Sequence, residues 1–222
     1  MSAATPNSVI PDLRTSSAER INTLTHGIGF VLSVIGAAML LACVFSQGDA
    51  WRSTGCGLYA ISLVAVYACS TLSHGASRPD LKKLFRGLDQ GFIYLLIVGT
   101  YTPFSLTYLR TSGWIVFLVL LWGIALAGFV SKVLLAHRVE SVSIWIYVIL
   151  GWLPVIAGVQ LIGVVPSAAL WWVLLGGLVY TAGTVFLFFD RHIPHLHAIW
   201  HIFVITGSAL HFFAIWWFVA QG

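Results

Sequence analysis

The stretch from His195 to Ala220, HLHAIWHIFVITGSALHFFAIWWFVA, contains no Asp, Glu, Lys or Arg. It is longer than the roughly 20 apolar residues a helix needs to cross the hydrocarbon core of a bilayer. Near its start, His197 and His201 stand four residues apart. On a helix that spacing stacks two imidazoles on one face, one turn apart, where a single metal ion reaches both. Polar side chains at membrane depth are costly and mark function. A bound metal is the strongest reason for this pair.

The rest of the chain repeats the apolar pattern. Of 222 residues, 59% are hydrophobic and 8% charged, with a mean hydropathy of +0.95. A soluble domain would carry about a quarter charged residues. Apolar runs bounded by charge and turn residues predict helices at about 21–45, 53–74, 81–109, 113–135, 141–161, 167–189 and 195–220. The breaks are Gly48-Asp49, Gly75 to Pro79, Thr111-Ser112, Arg138 to Glu140, Pro166 and Ile193-Pro194. Pro103 and Pro154 fall inside the third and fifth runs and should kink them. The expectation is an all-α integral membrane protein with seven transmembrane helices over residues 19–222. Residues 1–18 are polar, lack the apolar core of a cleavable signal peptide and are expected to form a disordered tail.

Positive charge assigns the direction. Arg14, Arg20, Arg78, Lys82, Lys83, Arg86, Lys132, Arg138 and Arg191 share one face of this topology, against Arg52 and Arg110 on the other. Nine of eleven on one face puts the N-terminus and the tail in the cytoplasm and the C-terminus outside. These basic residues are scattered among loops without interleaved aromatics, so nucleic acid is not an expected partner. The bilayer is, with a membrane lipid as substrate or ligand; nothing in the sequence names a protein partner. Cys43, Cys56 and Cys69 are expected as small core residues, although Cys43 and Cys56 flank the first turn. Gly123, Ala127, Gly176, Gly177 and Gly183 are expected where helices approach closely.

Threaded through seven spans, the ionisable residues gather at one depth. His74 ends the second helix, Asp89 lies about two turns into the third if Ser77 or Asp80 caps it, and His197 and His201 open the seventh. Glu19, Asn22 and His26 begin the first helix at the same level and are expected behind the ligands. His137, His192 and His195 fall in loops, with His192 and His195 close enough to be rival ligands, and His211 lies about 15–21 Å along the helix from His197, too far to share its ion. Three His with one open position is the ligand count of a catalytic zinc site. Asp89 either binds the metal directly or, as preferred here, contacts it through water and takes that water's proton. Ser70, one turn before His74, either supports the centre or orients a substrate carbonyl. Burying an Asp near mid-helix costs about 2.5–3.5 kcal/mol, whereas structural zinc binding supplies roughly 10–16 kcal/mol in small peptides. The metal outweighs the carboxylate's cost.

Four ordered motifs also resemble a known family. They are Glu19-Arg-Ile-Asn22-Thr-Leu-Thr25-His26-Gly27, Ser70-Thr-Leu-Ser-His74, Leu88-Asp89-Gln90 with Gly99-Thr-Tyr-Thr-Pro103-Phe104, and His197-Ala-Ile-Trp200-His201. They resemble the hemolysin III family, the bacterial branch of the progestin and adipoQ receptor family. Many relatives have Asp-His where this chain has Asp89-Gln90, and Tyr where it has Ser73; neither change touches an expected ligand. The resemblance implies a multi-pass protein of the bacterial plasma (inner) membrane with a zinc cofactor. It implies His74, His197 and His201 as ligands and Asp89 in contact through water. It also relates the chain to ceramidase-like membrane hydrolases, which makes Ser70 the corresponding serine.

Three functions follow as expectations. The first is a zinc-dependent hydrolase of a lipid amide or acyl bond, with a cytoplasmic-side site and Asp89 and Ser70 as catalytic groups. The second is a non-enzymatic regulator or sensor of membrane homeostasis, with structural zinc. The third is a cytolytic, hemolysin-like channel, for which the outer halves of the helices offer little polar lining. A retinal-linked pump is excluded, because no lysine follows Lys132 to form a Schiff base.

Overall fold

Among the described residues, apolar runs separated by short polar breaks fold into seven helices in the computed structural model of the chain. The structure describes residues 13–134, 144–156, 161–190, 193 and 195–222, with 13–16 and 156 described by their backbone alone. Helix α1 covers Leu13–Phe45, α2 Ala50–Gly75, α3 Pro79–Tyr108, α4 Ser112–Leu134, α5 Ile144–Ile156, α6 Ser167–Phe189 and α7 His195–Ile215. The last continues into a wider π turn at Trp216–Ala220. By length and composition α1, α2, α4, α6 and α7 are each able to cross a membrane. α3 has the length, but Asp80, Lys82, Lys83, Arg86 and Asp89 crowd its first half.

The outer surface matches a lipid solvent. Leu24, Ile28, Val31, Leu32 and Ile35 on α1 and Val116, Val119 and Leu120 on α4 are all exposed. In water so large an apolar patch would drive association, whereas acyl chains accept it at no cost. The chain is a helical, multi-pass membrane protein.

The sequence boundaries hold best where hydropathy changes sharply, as at α6. α1 starts earlier than the apolar run, at Leu13, because Leu13 to Ala18 contain no Gly or Pro and a helix continues past the membrane when nothing breaks it. The expected tail is therefore helical from Leu13, and residues 1–12 lie outside the described residues. The fifth helix, expected over 141–161, is described over Ile144–Ile156; 141–143 and 157–160 lie outside the described residues, as do His137, Arg138, Glu140, Arg191, His192 and Pro194. Pro103 and Pro154 do lie inside α3 and α5.

Local chemistry sets the tight turns. Gly48 adopts φ +72°, a left-handed conformation that a side chain would strain, and lets the chain reverse after α1. Asp49 then caps α2, its carboxylate accepting from the backbone N–H groups of Trp51 and Arg52 at 2.9 and 3.2 Å. α3 opens differently from the expectation. Its cap position is Arg78, with no side-chain cap bond, and Pro79 supplies the pre-set backbone of the first turn, while Asp80 pairs with Arg78 at 2.6 Å.

α3 is the hub, packed against α2, α4 and α5, while α1 lies against both α2 and α7, and α6 against α7. Gly55 lets α2 approach the backbone of α3, since a Cβ there would meet the Pro103 Cα at 2.9 Å. Gly176 and Gly183 also face neighbouring side chains, those of His211 and of Trp200 and Phe203. Gly123 and Gly177 do not, having nothing within 4 Å, so their expected packing role is corrected: hydropathy does not say which face of a uniformly apolar helix turns inward. All three cysteines are free.

The two ends of the bundle differ. At one end Asp49, between α1 and α2, pairs with Arg110, between α3 and α4, at 2.6 Å, and the Tyr108 hydroxyl donates to the Phe218 carbonyl. A cavity of about 180 Å³ opens near this end among α3, α4, α5 and α6, with an apolar lining that includes Phe104, Trp114 and Leu170. Among the described residues, no His, Cys, Asp or Glu lines it. The ionisable cluster is at the opposite end.

Candidate metal centre

Alternating helix direction brings the start of α1, the end of α2, the start of α3 and the start of α7 to one end of the bundle. There His74 from α2 meets His197 and His201 from α7. One ligand atom from each lies within 4.8 Å of the other two, and among the described residues no other His, Cys, Asp or Glu joins this group. The ring centroids of His74 stand 5.1 Å from those of both His197 and His201, which are 4.6 Å apart. The i, i+4 spacing places the second pair on one face, as the sequence requires. His74 arrives from a helix that ends at the same depth.

Each ring is oriented from behind through Nδ1. The His74 Nδ1 lies 2.7 Å from Glu19 Oε2, whose other oxygen accepts from Lys82 Nζ at 2.8 Å. The His197 Nδ1 lies 2.7 Å from Asp190 Oδ2. The His201 Nδ1 lies 3.2 Å from Thr25 Oγ1. Ionised carboxylates only accept, so the first two rings donate through Nδ1. The Thr25 hydroxyl proton is directed to the carbonyls of Ile21 and Asn22 at 2.9 and 3.0 Å, so its oxygen also receives the Nδ1 proton of His201. In the neutral form, the one that can bind a metal, all three imidazoles are thereby held in one tautomer, with the Nε2 lone pair free. That is the arrangement by which outer partners orient metal-ligating histidines. The group can hold a metal ion.

Asp89 and Ser70 meet beside the centre. The Asp89 carboxylate is paired with the Ser70 hydroxyl and lies in the field of His197 and Arg86. Asp89 is not one of the three residues whose ligand atoms lie within 4.8 Å of one another. Ser70 is 1% exposed and sits one turn before His74 on the inner face of α2.

Of the residues expected behind the ligands, Glu19 holds His74, while Asn22 and His26 are both buried. The His26 ring stacks on His201 at 3.5 Å between centroids and meets Tyr67 edge-on at 5.2 Å. His195 is exposed and outside the cluster, and the His211 Nε2 donates to the Val173 carbonyl at 3.0 Å. Asp190, Thr25 and Lys82 are the partners that sequence reasoning missed. The available signal was Asp190, an isolated acid in an apolar region just before the paired histidines.

Fold and centre together define a class: a multi-pass helical membrane protein with a three-histidine group at one end. A family model described as haemolysin-III related matches residues 14–212, and the chain belongs to that family. It is 36% identical over 201 residues to the hemolysin-3 homolog of Bacillus subtilis (strain 168), covering 90% of this chain and 94% of that protein. It is 37% identical over 202 residues to hemolysin-3 of Bacillus cereus, covering 90% and 91%. The human monocyte to macrophage differentiation factor, of the progestin and adipoQ receptor family, is 29% identical over 207 residues, covering 88% and 82%. No solved structure matches the chain.

Proposed function

We propose that the chain is a zinc-dependent hydrolase of the bacterial plasma (inner) membrane, which cleaves an amide or related acyl bond of a membrane lipid at the cytoplasmic end of the bundle. The observation that carries this reading is the convergence of three imidazoles on one position, with the paired Asp89 and Ser70 in the field of one of them, His197. Three imidazole nitrogens form a donor set that suits zinc. The cytoplasmic placement rests on the nine basic residues that share the ligands' face.

His74, His197 and His201 would hold the zinc. When bound, it supplies Lewis-acid polarisation of the acyl carbonyl and brings the pKa of water toward about 7. Asp89 orients the attacking water, accepts its proton and returns it to the leaving nitrogen as the carbon–nitrogen bond breaks. Ser70 donates its one hydroxyl proton to the Asp89 carboxylate while that group is ionised, and turns it to the oxyanion once Asp89 has taken the proton of the water. Purified protein given an amide-linked lipid is expected to lose turnover on Asp89→Ala while keeping its metal. Equal turnover in both proteins discards the role.

One observation favours a second reading. α1 lies between α2 and α7, and a metal shared by His74 with His197 and His201 would tie those two helices together across it. In a purely structural site, His201→Ala lowers the melting temperature sharply while Asp89→Ala leaves the cellular phenotype untouched. A conducting channel has less support, because Leu40, Val44, Ile215 and Val219 are fully buried in the half away from the centre and offer no polar path.

A further inference from the structure

Three buried polar atoms beside the metal centre have no hydrogen-bond partner among the described residues: Asn22 Oδ1, His26 Nδ1 and His26 Nε2. Asn22 and His26 are one turn apart on the inner face of α1, and they are 5% and 3% exposed. Folded proteins rarely leave buried polar atoms unpaired, and such groups mark a place where something polar binds. The location is specific. The His26 ring lies flat against the ligand ring of His201, with centroids 3.5 Å apart, while the neighbouring Thr25 holds the His201 Nδ1 at 3.2 Å. A group seated on Asn22 and His26 is therefore next to the position on which the three imidazoles converge.

We propose that Asn22 and His26 form a hydrogen-bonding seat for a lipid that carries an N–H beside its acyl carbonyl, and that this seat selects amide-linked over ester-linked lipids. Placing an acyl bond there rests on the hydrolase reading above. Asn22 Oδ1 can only accept, so its partner must bring a proton. A secondary amide supplies one from the atom bonded to its carbonyl carbon; an ester has none and leaves Oδ1 buried and unpaired. A neutral His26 presents one donor and one acceptor, which fits a ligand with further hydroxyl groups near the linkage. A site built to bond a polar hydrogen discriminates strongly against the analogue that lacks it.

The test uses the full chain, zinc-loaded, in lipid nanodiscs. A matched pair of lipids with identical chains, one N-acyl and one O-acyl, competes against a fluorescent lipid, and turnover of both is followed in parallel. The wild type is expected to bind the amide about tenfold tighter or more, as an unpaired buried acceptor implies. Asn22→Leu should bring the ratio close to one, with zinc content unchanged. Asn22→Asp keeps an acceptor oxygen and should keep the preference. His26→Phe retains the stack on His201 and should weaken amide binding. A wild-type ratio near one, or a ratio that survives Asn22→Leu, overturns the seat and leaves ordered water as its occupant. Because the wild-type ratio decides by itself, misfolding of a variant does not rescue the idea. A preserved ratio without turnover sinks the hydrolase and keeps the seat; turnover with a ratio near one does the reverse.

Discussion

Asp190 Oδ2 lies 2.7 Å from the Nδ1 of His197, so the residue that follows α6 fixes the ring that begins the next helix. The contact joins the α6–α7 connection to the metal centre. Asp190→Ala leaves His197 free to rotate or to change tautomer, and metal affinity should fall about 10–100-fold. Asp190→Asn retains an acceptor oxygen and should lose less. Competition with a chelator of known affinity measures both; wild-type affinity in Asp190→Ala removes the residue from the centre.

Glu19 serves His74 in the same way while also holding Lys82. Glu19→Gln keeps one acceptor and should weaken metal binding less than Glu19→Ala. Lys82→Ala severs the exposed side of this pair and should have the smallest effect, because partly solvated ion pairs contribute little. The ranking is read from the same competition. Lys82→Ala matching Glu19→Ala would show that the pair acts through charge and not through the ring of His74.

The histidine pair was legible because helix geometry alone converts a four-residue spacing into one face. His74 was legible through depth, once seven spans of alternating direction placed it at the level of His197. The outer partners were not, for a physical reason. Thr25 and His201 are separated by 176 positions and meet only because α1 packs against α7, a pairing that uniformly apolar faces do not encode. Asp190 reads locally as a polar stop to α6. The start of α1 was misplaced because hydropathy locates the membrane, whereas helix ends follow backbone breakers.

The packing between α2 and α3 gives a test independent of the metal. At Gly55 a new Cβ would meet Pro103 backbone at 2.9 Å, so Gly55→Ala should destabilise by about 1–3 kcal/mol. At Gly57 nothing lies within 4 Å, and Gly57→Ala should be neutral or stabilise by up to about 1 kcal/mol. Thermal unfolding in detergent compares the two. Equal effects would contradict the close approach.

At the far end, the Arg110 guanidinium holds the Asp49 carboxyl below the ordinary Asp value of 3.8, helped by the backbone N–H of Arg52. A carboxyl depressed in the folded state contributes stability above its unfolded pKa and loses that contribution as pH falls through the folded value. Asp49→Asn keeps a capping oxygen but loses the ion pair. Its melting temperature should fall below wild type at pH 7 and converge with it as the solution is acidified below the ordinary Asp value. A gap of constant size at every pH would assign the effect to the cap alone.

Elemental analysis of the purified protein beside a His197→Ala/His201→Ala variant tests the shared-cation centre most directly. The account predicts one zinc per wild-type chain and none in the double variant, with the helical circular dichroism signal retained in both. Zinc content that is unchanged by the double substitution would contradict it.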